Sequence, residues 1–365
     1  MKVDFKKAFN KKRIIIIIAV FVLIGIMVMS NPEVWEFFSK TETVSVNFQV
    51  GVDYNMIAYG KDMLLVDNEG IVAFDRNGRE DWSLVSSATS PHVTVRDKYI
   101  LLTDIGGKSV KLFNRDKTVT QIQTENEILC AKLNKNGSMA VATNELGYKG
   151  MVTVYSKSGE EQFKWHSGSG YIGDLDISSG GKLALAQLMT DKEEVYSRIL
   201  LIDPSSEAEP KNVGEYKGIV FKIQFRDNGS FVALSDNGLL GFKKSGKERF
   251  NVDFQGRKPL LCNIDNDNNM VIAFDSGLNS SVLESYSSKG KLRGSFDAKA
   301  QVHSMDVCGE CIVAAKRDGI AYINPKGVLK KEIKAKKDVK SIKIYSSRDK
   351  IMSLGGNSAE LIKIK

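Results

Sequence analysis

Ile219-Val-Phe-Lys-Ile-Gln-Phe225, Arg226-Asp-Asn-Gly229, Ser230-Phe-Val-Ala-Leu-Ser235, Asp236-Asn-Gly238, Leu239-Leu-Gly-Phe-Lys243, Lys244-Ser-Gly246 and Glu248-Arg-Phe-Asn-Val-Asp-Phe254 follow one another with only Lys247 left over. Apolar runs at strand length alternate with short turns that end in glycine. Asn-Gly and Ser-Gly pairs between such runs are hairpin signals, because glycine accepts the positive φ that tight turns require. The stretch therefore reads as four antiparallel strands, named A to D.

The same unit recurs outward in both directions. The turn after the third strand reads Phe74-Asp-Arg-Asn-Gly78, Phe113-Asn-Arg-Asp116, Tyr155-Ser-Lys-Ser-Gly159, Ile202-Asp-Pro-Ser205, Phe242-Lys-Lys-Ser-Gly246, Tyr286-Ser-Ser-Lys-Gly290 and Ile323-Asn-Pro-Lys-Gly327, and an eighth copy stops at Leu361-Ile-Lys-Ile-Lys365. Successive copies lie 39, 42, 47, 40, 44, 37 and 38 residues apart. A period near forty built from short strands predicts a β-propeller, each blade burying its faces against its neighbours. The expected fold class is all-β: an eight-bladed propeller over residues 43–365.

The two ends specify how the ring closes. The eighth copy supplies Val339 to Tyr345, Lys350 to Leu354 and Ala359 to Ile364, and has no fourth strand of its own. Thr43-Val-Ser-Val-Asn-Phe-Gln-Val50 is a strand without a blade. Pairing the two removes sheet edges that would otherwise invite aggregation. Seven blades with a stray terminal strand is the alternative.

Residues 14–30 are apolar, with Lys11, Lys12 and Arg13 before them and Pro32 just after. Ile14 to Met29 covers about 24 Å as a helix, so flanking Trp35, Phe37 and Phe38 would complete a span of about 30 Å. The expectation is one N-terminal transmembrane helix acting as a signal anchor; a cleaved signal peptide is the alternative. Residues 1–13 form a basic cytoplasmic tail, with six Lys and Arg against one Asp, and residues 31–42 a juxtamembrane linker. The positive side stays inside, which predicts the propeller outside the cytoplasmic membrane.

Blade 1 carries Ala73-Phe-Asp75-Arg-Asn-Gly78-Arg-Glu-Asp-Trp82 and blade 3 the looser Gly159-Glu-Glu-Gln-Phe163-Lys-Trp165. These resemble the docking motif of quinoprotein-like (PQQ-like repeat) propellers, one residue shorter between Asp and Gly. With the single anchor, the whole chain resembles uncharacterised membrane-anchored propeller proteins of Gram-positive, clostridia-like bacteria. The resemblance implies the architecture and an envelope location. Quinoprotein dehydrogenases would imply calcium-bound quinone and often a vicinal disulfide, and no two of Cys130, Cys262, Cys308 and Cys311 are adjacent. The WD40 family ranks second, since a recurring Gly-His and Trp-Asp pair is missing.

No catalytic constellation emerges. His92, His166 and His303 lack metal-binding spacing, and neither His-Glu-x-x-His nor a serine-hydrolase elbow occurs. Cys308-Gly-Glu-Cys311 falls at an A–B hairpin, where a small disulfide or two free thiols are both open readings. Alternate A-strand residues form a polar face that includes Lys132, Lys222, Gln224, Ser304 and Lys343 together with Asp174, Asp176, His92 and Asp306. In a propeller that face lines the central channel. Asp174 with Asp176 would be its cation site, against a lining of mutually neutralising Lys and Asp. No cofactor is expected.

The formal charge of +8 does not argue for nucleic acid, since the tail holds +5 of it and Lys326 to Lys343 another +6. The lysines of that stretch, Lys330, Lys331, Lys334, Lys336 and Lys337, suit an anionic wall polymer, a headgroup or an acidic protein face. Asp191, Glu193 and Glu194 form an acidic tip within the long insertion Met189 to Ser197, and Asn144 to Gly150 is a second insertion. The chain thus reads as a non-enzymatic scaffold for an envelope protein or polymer, with a ligand-sensing or quinoprotein-like catalytic channel as the alternative.

Overall fold

The computed structural model describes residues 43–47, 54–191, 194–317, 319–334, 339–356 and 358–364. Every regular element among them is a strand, and the strands form eight four-stranded antiparallel sheets. Blade 5 has its A strand at Val220–Phe225, B at Phe231–Ser235, C at Gly238–Phe242 and D at Glu248–Asp253. The tail, the apolar segment 14–30 and the linker lie outside the described residues. Among the described ones no helix is long and apolar enough to cross a membrane.

Seven sheets are each built from four consecutive strands, and the eighth is not. It takes A from Ser341–Ile344, B from Lys350–Leu354 and C from Ser358–Lys363, and its D strand is Thr43–Asn47. Thr43 pairs with Ile362 and Asn47 with Ser358, so the ends of the propeller close the ring as the unpartnered strands required. The seven-blade alternative is thereby excluded. Side chains seal the seam to blade 1: Arg76 pairs with Asp349 at 2.5 Å, and Lys350 Nζ donates to Arg76 O at 2.7 Å.

The core is a set of eight apolar layers, one between each pair of adjacent blades. Leu185 and Leu200 of blade 4 pack with Ala140 and Val152 of blade 3; Phe231 and Phe242 of blade 5 pack with Ile199 of blade 4. At the closing seam Met63 and Leu65 of blade 1 meet Tyr345, Met352 and Leu361 of blade 8. B and C strands have both sheet faces covered, which is why Phe231–Ser235 and Gly238–Phe242 are buried at every residue. D strands face solvent on one side and alternate, as Glu248–Asp253 does.

The recurring C–D glycine has two reasons to be glycine. Gly159, Gly246, Gly290 and Gly327 sit at φ +89, +80, +73 and +78. A Cβ there would also strike the D strand of the preceding blade, at Thr120, Val213, Phe250 and Ser295 respectively. Gly327 is tightest, with its virtual Cβ 2.0 Å from Ser295 O, a backbone atom that cannot swing aside. Gly327→Ala is expected to cost about 2 kcal/mol, from strain plus the forced parting of blades 6 and 7. A shift in the chemical unfolding midpoint at unchanged slope measures it.

The motif residues of blade 1 divide their tasks. Asp75 Oδ1 accepts the backbone N–H of Asn77 at 2.7 Å and of Arg79 at 2.9 Å, so it serves its own turn. Trp82 is buried beside Tyr59 and Phe113, across the blade 1–2 boundary.

Candidate functional site

A strands are the innermost strand of each blade, so half of their N–H groups have no ladder partner. Side chains of the preceding blade supply the missing acceptors. Asp174 Oδ2 accepts from Ile223 N at 2.8 Å and Asp176 Oδ2 from Phe225 N at 2.7 Å. Three blades on, Ser304 Oγ accepts from Ile342 N at 3.1 Å and Asp306 Oδ2 from Ile344 N at 2.8 Å. Asn263 Nδ2 donates to Met305 O at 3.2 Å and His303 Nε2 bonds Val339 O at 2.5 Å. The polar face legible in the sequence is therefore largely stitching between blades.

Each aspartate also meets a cation, Asp174 and Asp306 through the second oxygen and Asp176 through the oxygen that accepts the Phe225 N–H. Lys132 Nζ is 3.1 Å from Asp174 Oδ1, Lys343 Nζ is 3.2 Å from Asp306 Oδ1, and Arg96 is 3.7 Å from Asp176 Oδ2. Burial pushes the Asp176 and Asp306 carboxyls up, against the opposing pull of Arg96 and Lys343. Desolvation is the largest influence on Lys132 and would lower it, but Asp174 and its neighbours, Asp176 among them, together outweigh it and hold the ammonium above its usual range. The alternative of a cation site at Asp174 and Asp176 is thus not built, because N–H groups and cations already engage their oxygens. No cluster of three or more His, Cys, Asp or Glu is placed for a metal among the described residues. The neutralising lining is the arrangement the structure has.

Five of the A strands carry a bulge near their start, between Ile128 and Cys130, Ile172 and Asp174, Val220 and Lys222, Pro259 and Leu261, and Val302 and Ser304. Each bulge frees one residue from the ladder and re-aims it. The freed residues include Phe221 and Leu260, both 42% exposed, and His303. Below them a cavity of about 460 Å³ runs down the channel past His92, Thr94, Lys132, Lys222, Gln224 and Lys343. His92 is held below its usual pKa by burial and by Lys132, which together outweigh Asp174.

The antiparallel order A to D places the D–A connections and the B–C turns on one face of the disc. Among the described residues, the exposed aromatics Tyr148, Tyr171 and Phe221 all belong to that face. So do Leu146 at 96%, Leu278 at 102% and Ile219 at 45% exposure. Leu146 and Tyr148 stand in the insertion Asn144 to Gly150 singled out by length, which with Tyr171 and Ile172 walls a cleft of about 430 Å³ between blades 3 and 4. Tyr148 packs on His166 at 4.6 Å between ring centres, and Lys149 Nζ lies 4.6 Å over the Tyr171 ring.

The remaining expected contacts are dispersed. Lys330 and Lys334 are exposed on the D side of blade 7, while Lys331 is half-buried with Nζ 3.4 Å from Lys363 O. Lys336, Lys337 and Glu193 lie outside the described residues, as does the Asp191 side chain. Glu194, at the B–C tip of blade 4, pairs with Lys217 at 3.5 Å. The acidic tip and the lysine edge thus sit three blades apart. Cys308 and Cys311 pair directly across their hairpin and stand as free thiols in this structure. Each sulfur has its own partner: Arg348 Nε donates to Cys308 Sγ at 3.4 Å, and Cys311 Sγ lies 3.6 Å from Arg348 O. Burial raises the Cys308 thiol pKa despite Arg348.

Residues 36–364 match a family described as "Family of unknown function (DUF5711)". No curated protein matches the chain in sequence. Among solved structures, BamB from Moraxella catarrhalis superposes with a TM-score of 0.55 at 11% identity, covering 89% of this chain and 100% of that one. Sqt1 from Saccharomyces cerevisiae gives 0.62 at 11% identity, covering 88% and 98%. The C-terminal WD40 domain of Sif2 gives 0.60 at 11% identity, covering 88% and 99%. Identities this low carry the fold and nothing finer.

Proposed function

We propose, from the premise that this chain belongs to the DUF5711 family, that it is a non-enzymatic scaffold anchored in the cytoplasmic membrane through residues 14–30, presenting its propeller outside the cytoplasm to a protein partner. The observation that carries the reading is the exposed apolar and aromatic surface of the D–A face. Leu146, Tyr148, Tyr171, Phe221 and Leu278 gather there on turns and strand starts that the blades hold rigid. Such anchors suit a protein surface with apolar side chains of its own, since hot spots are built from aromatic and aliphatic groups shielded by a polar rim. A polyanionic wall polymer would instead be drawn to the lysines of blade 7, which are on a different edge. Glycine turns and inter-blade stitching keep that surface in place without contributing chemistry.

A photo-crosslinking residue at position 146 or 278 of the full chain, in intact cells, should capture one discrete protein. The same residue at Val119, exposed on the D strand of blade 2, should not. Tyr148→Asp in the Leu146 crosslinker background should abolish capture while shifting stability by no more than about 0.5 kcal/mol, because Tyr148 is half exposed. Equal capture from positions 119 and 146 would remove the docking face. A chain that stays in the soluble fraction of lysed cells would remove the anchor.

A further inference from the structure

Around the cavity that holds Lys222, four A-strand cations, Lys132, Lys222, Lys343 and Arg96, meet three aspartates, Asp174, Asp176 and Asp306. Lys132, Lys343 and Arg96 are each matched by an aspartate, as described above. Lys222, projecting from the A strand of blade 5, has no hydrogen bond or ion pair among the described residues. It faces Cys262 of blade 6, Lys132 and its partner Asp174 of blades 3 and 4, and Lys343 of blade 8. His92 of blade 2 reaches the same group of charges. Four blades therefore aim basic side chains into one cavity of about 460 Å³.

An unpaired ammonium withdrawn from water is costly unless an anion meets it. Burial and the neighbouring lysine charges depress the Lys222 ammonium below its usual range, which is the mark of an unmet charge. None of the three aspartates can turn to it, because each also accepts a backbone N–H of the next blade. The fold thus fixes the anions in the wall and leaves the cation free in the lumen.

We propose that the channel is a binding site for a small oxyanion, a phosphate or a dicarboxylate, held by Lys222 with Lys132, Lys343 and His92. Lys222 supplies the uncompensated charge, Lys132 and Lys343 share theirs with their aspartates, and His92 closes the ring on the blade 2 side. The ligand is of metabolite size, because a cavity of about 460 Å³ is too small for a polymer. The site is independent of the docking face, so either can fail without the other.

The test uses the full chain in detergent micelles, melted with inorganic phosphate or succinate against sodium chloride of equal ionic strength. One probe should raise Tm by about 3–5 °C when present at a hundredfold excess over its Kd. Phosphate alone assigns a phosphoryl ligand, succinate alone a dicarboxylate, and a response to both the shared oxyanion chemistry. Lys222→Met should abolish the rise while melting cooperatively at or above the wild-type temperature, since it removes an unmatched charge. Lys222→Gln serves as the second neutral variant should the first fail to fold. Lys330→Met on the outer edge should leave the rise intact. A wild-type chain that responds to neither probe beyond chloride overturns the proposal, and so does a rise that persists in both Lys222 variants.

Discussion

A chain lacking residues 43–47 is expected to lose cooperative melting and to aggregate. The deletion removes a five-residue ladder, Thr43 through Asn47 against Ile362 through Ser358. At about 0.5–1.5 kcal/mol net per hydrogen bond, the direct loss is about 3–5 kcal/mol, a large share of the stability of most domains. The indirect loss is an open edge. The C strand Ser358–Lys363, with Ala359 and Leu361 fully buried, would be left with unpaired N–H and C=O groups and would invite another chain. A milder variant makes the same point. Pro at both Val44 and Ser45 must break the ladder, because one of two adjacent N–H groups always points at the partner strand. Should the deletion variant remain monomeric with one sharp transition, the ring does not depend on this strand.

Asp306→Ala is expected to lower stability by about 2–4 kcal/mol. It strips the acceptor from Ile344 N and the partner from Lys343, two losses at one residue. Removing one member of a buried pair costs more than the pair contributes, since the survivor keeps its desolvation penalty. Lys343 keeps 28% of its side chain exposed, so channel water offsets part of that penalty and the lower half of the range is favoured. Asp306→Asn should cost less, because one amide oxygen can still accept from Ile344. Guanidinium unfolding of the three proteins orders them, and an Ala variant within 1 kcal/mol of wild type would show that the carboxylate is dispensable to the blade 7–8 joint.

The repeat was legible because its signals are local. A turn such as Lys244-Ser-Gly246 needs positive φ wherever it sits, and an apolar run such as Phe231 to Leu234 needs cover on both faces. The insertion Asn144 to Gly150 was legible by its length alone. What it displays was not, since Tyr171, Phe221 and Leu278 join its face only when the blades are set in a ring. Asp174 and Asp176 favoured a neutralised wall over a cation site in the sequence, but the groups that occupy their oxygens, Ile223 and Phe225 N–H, stand 49 residues away and were not legible.

The repeat, the strand order within a blade and the expected joining of the two ends were determined by the sequence by itself, because each follows from turn chemistry, strand period and the count of unpaired strands; the Thr43–Asn47 pairing then settled eight blades over seven. Which polar residue is bound and which is free was decided only by the tertiary structure. A-strand bulges shift the alternation by one residue in five blades, and the partners lie one or two repeats away along the chain. Lys132, Lys222 and Lys343 are alike in the sequence; the ring gives two of them aspartates and leaves the third facing the lumen.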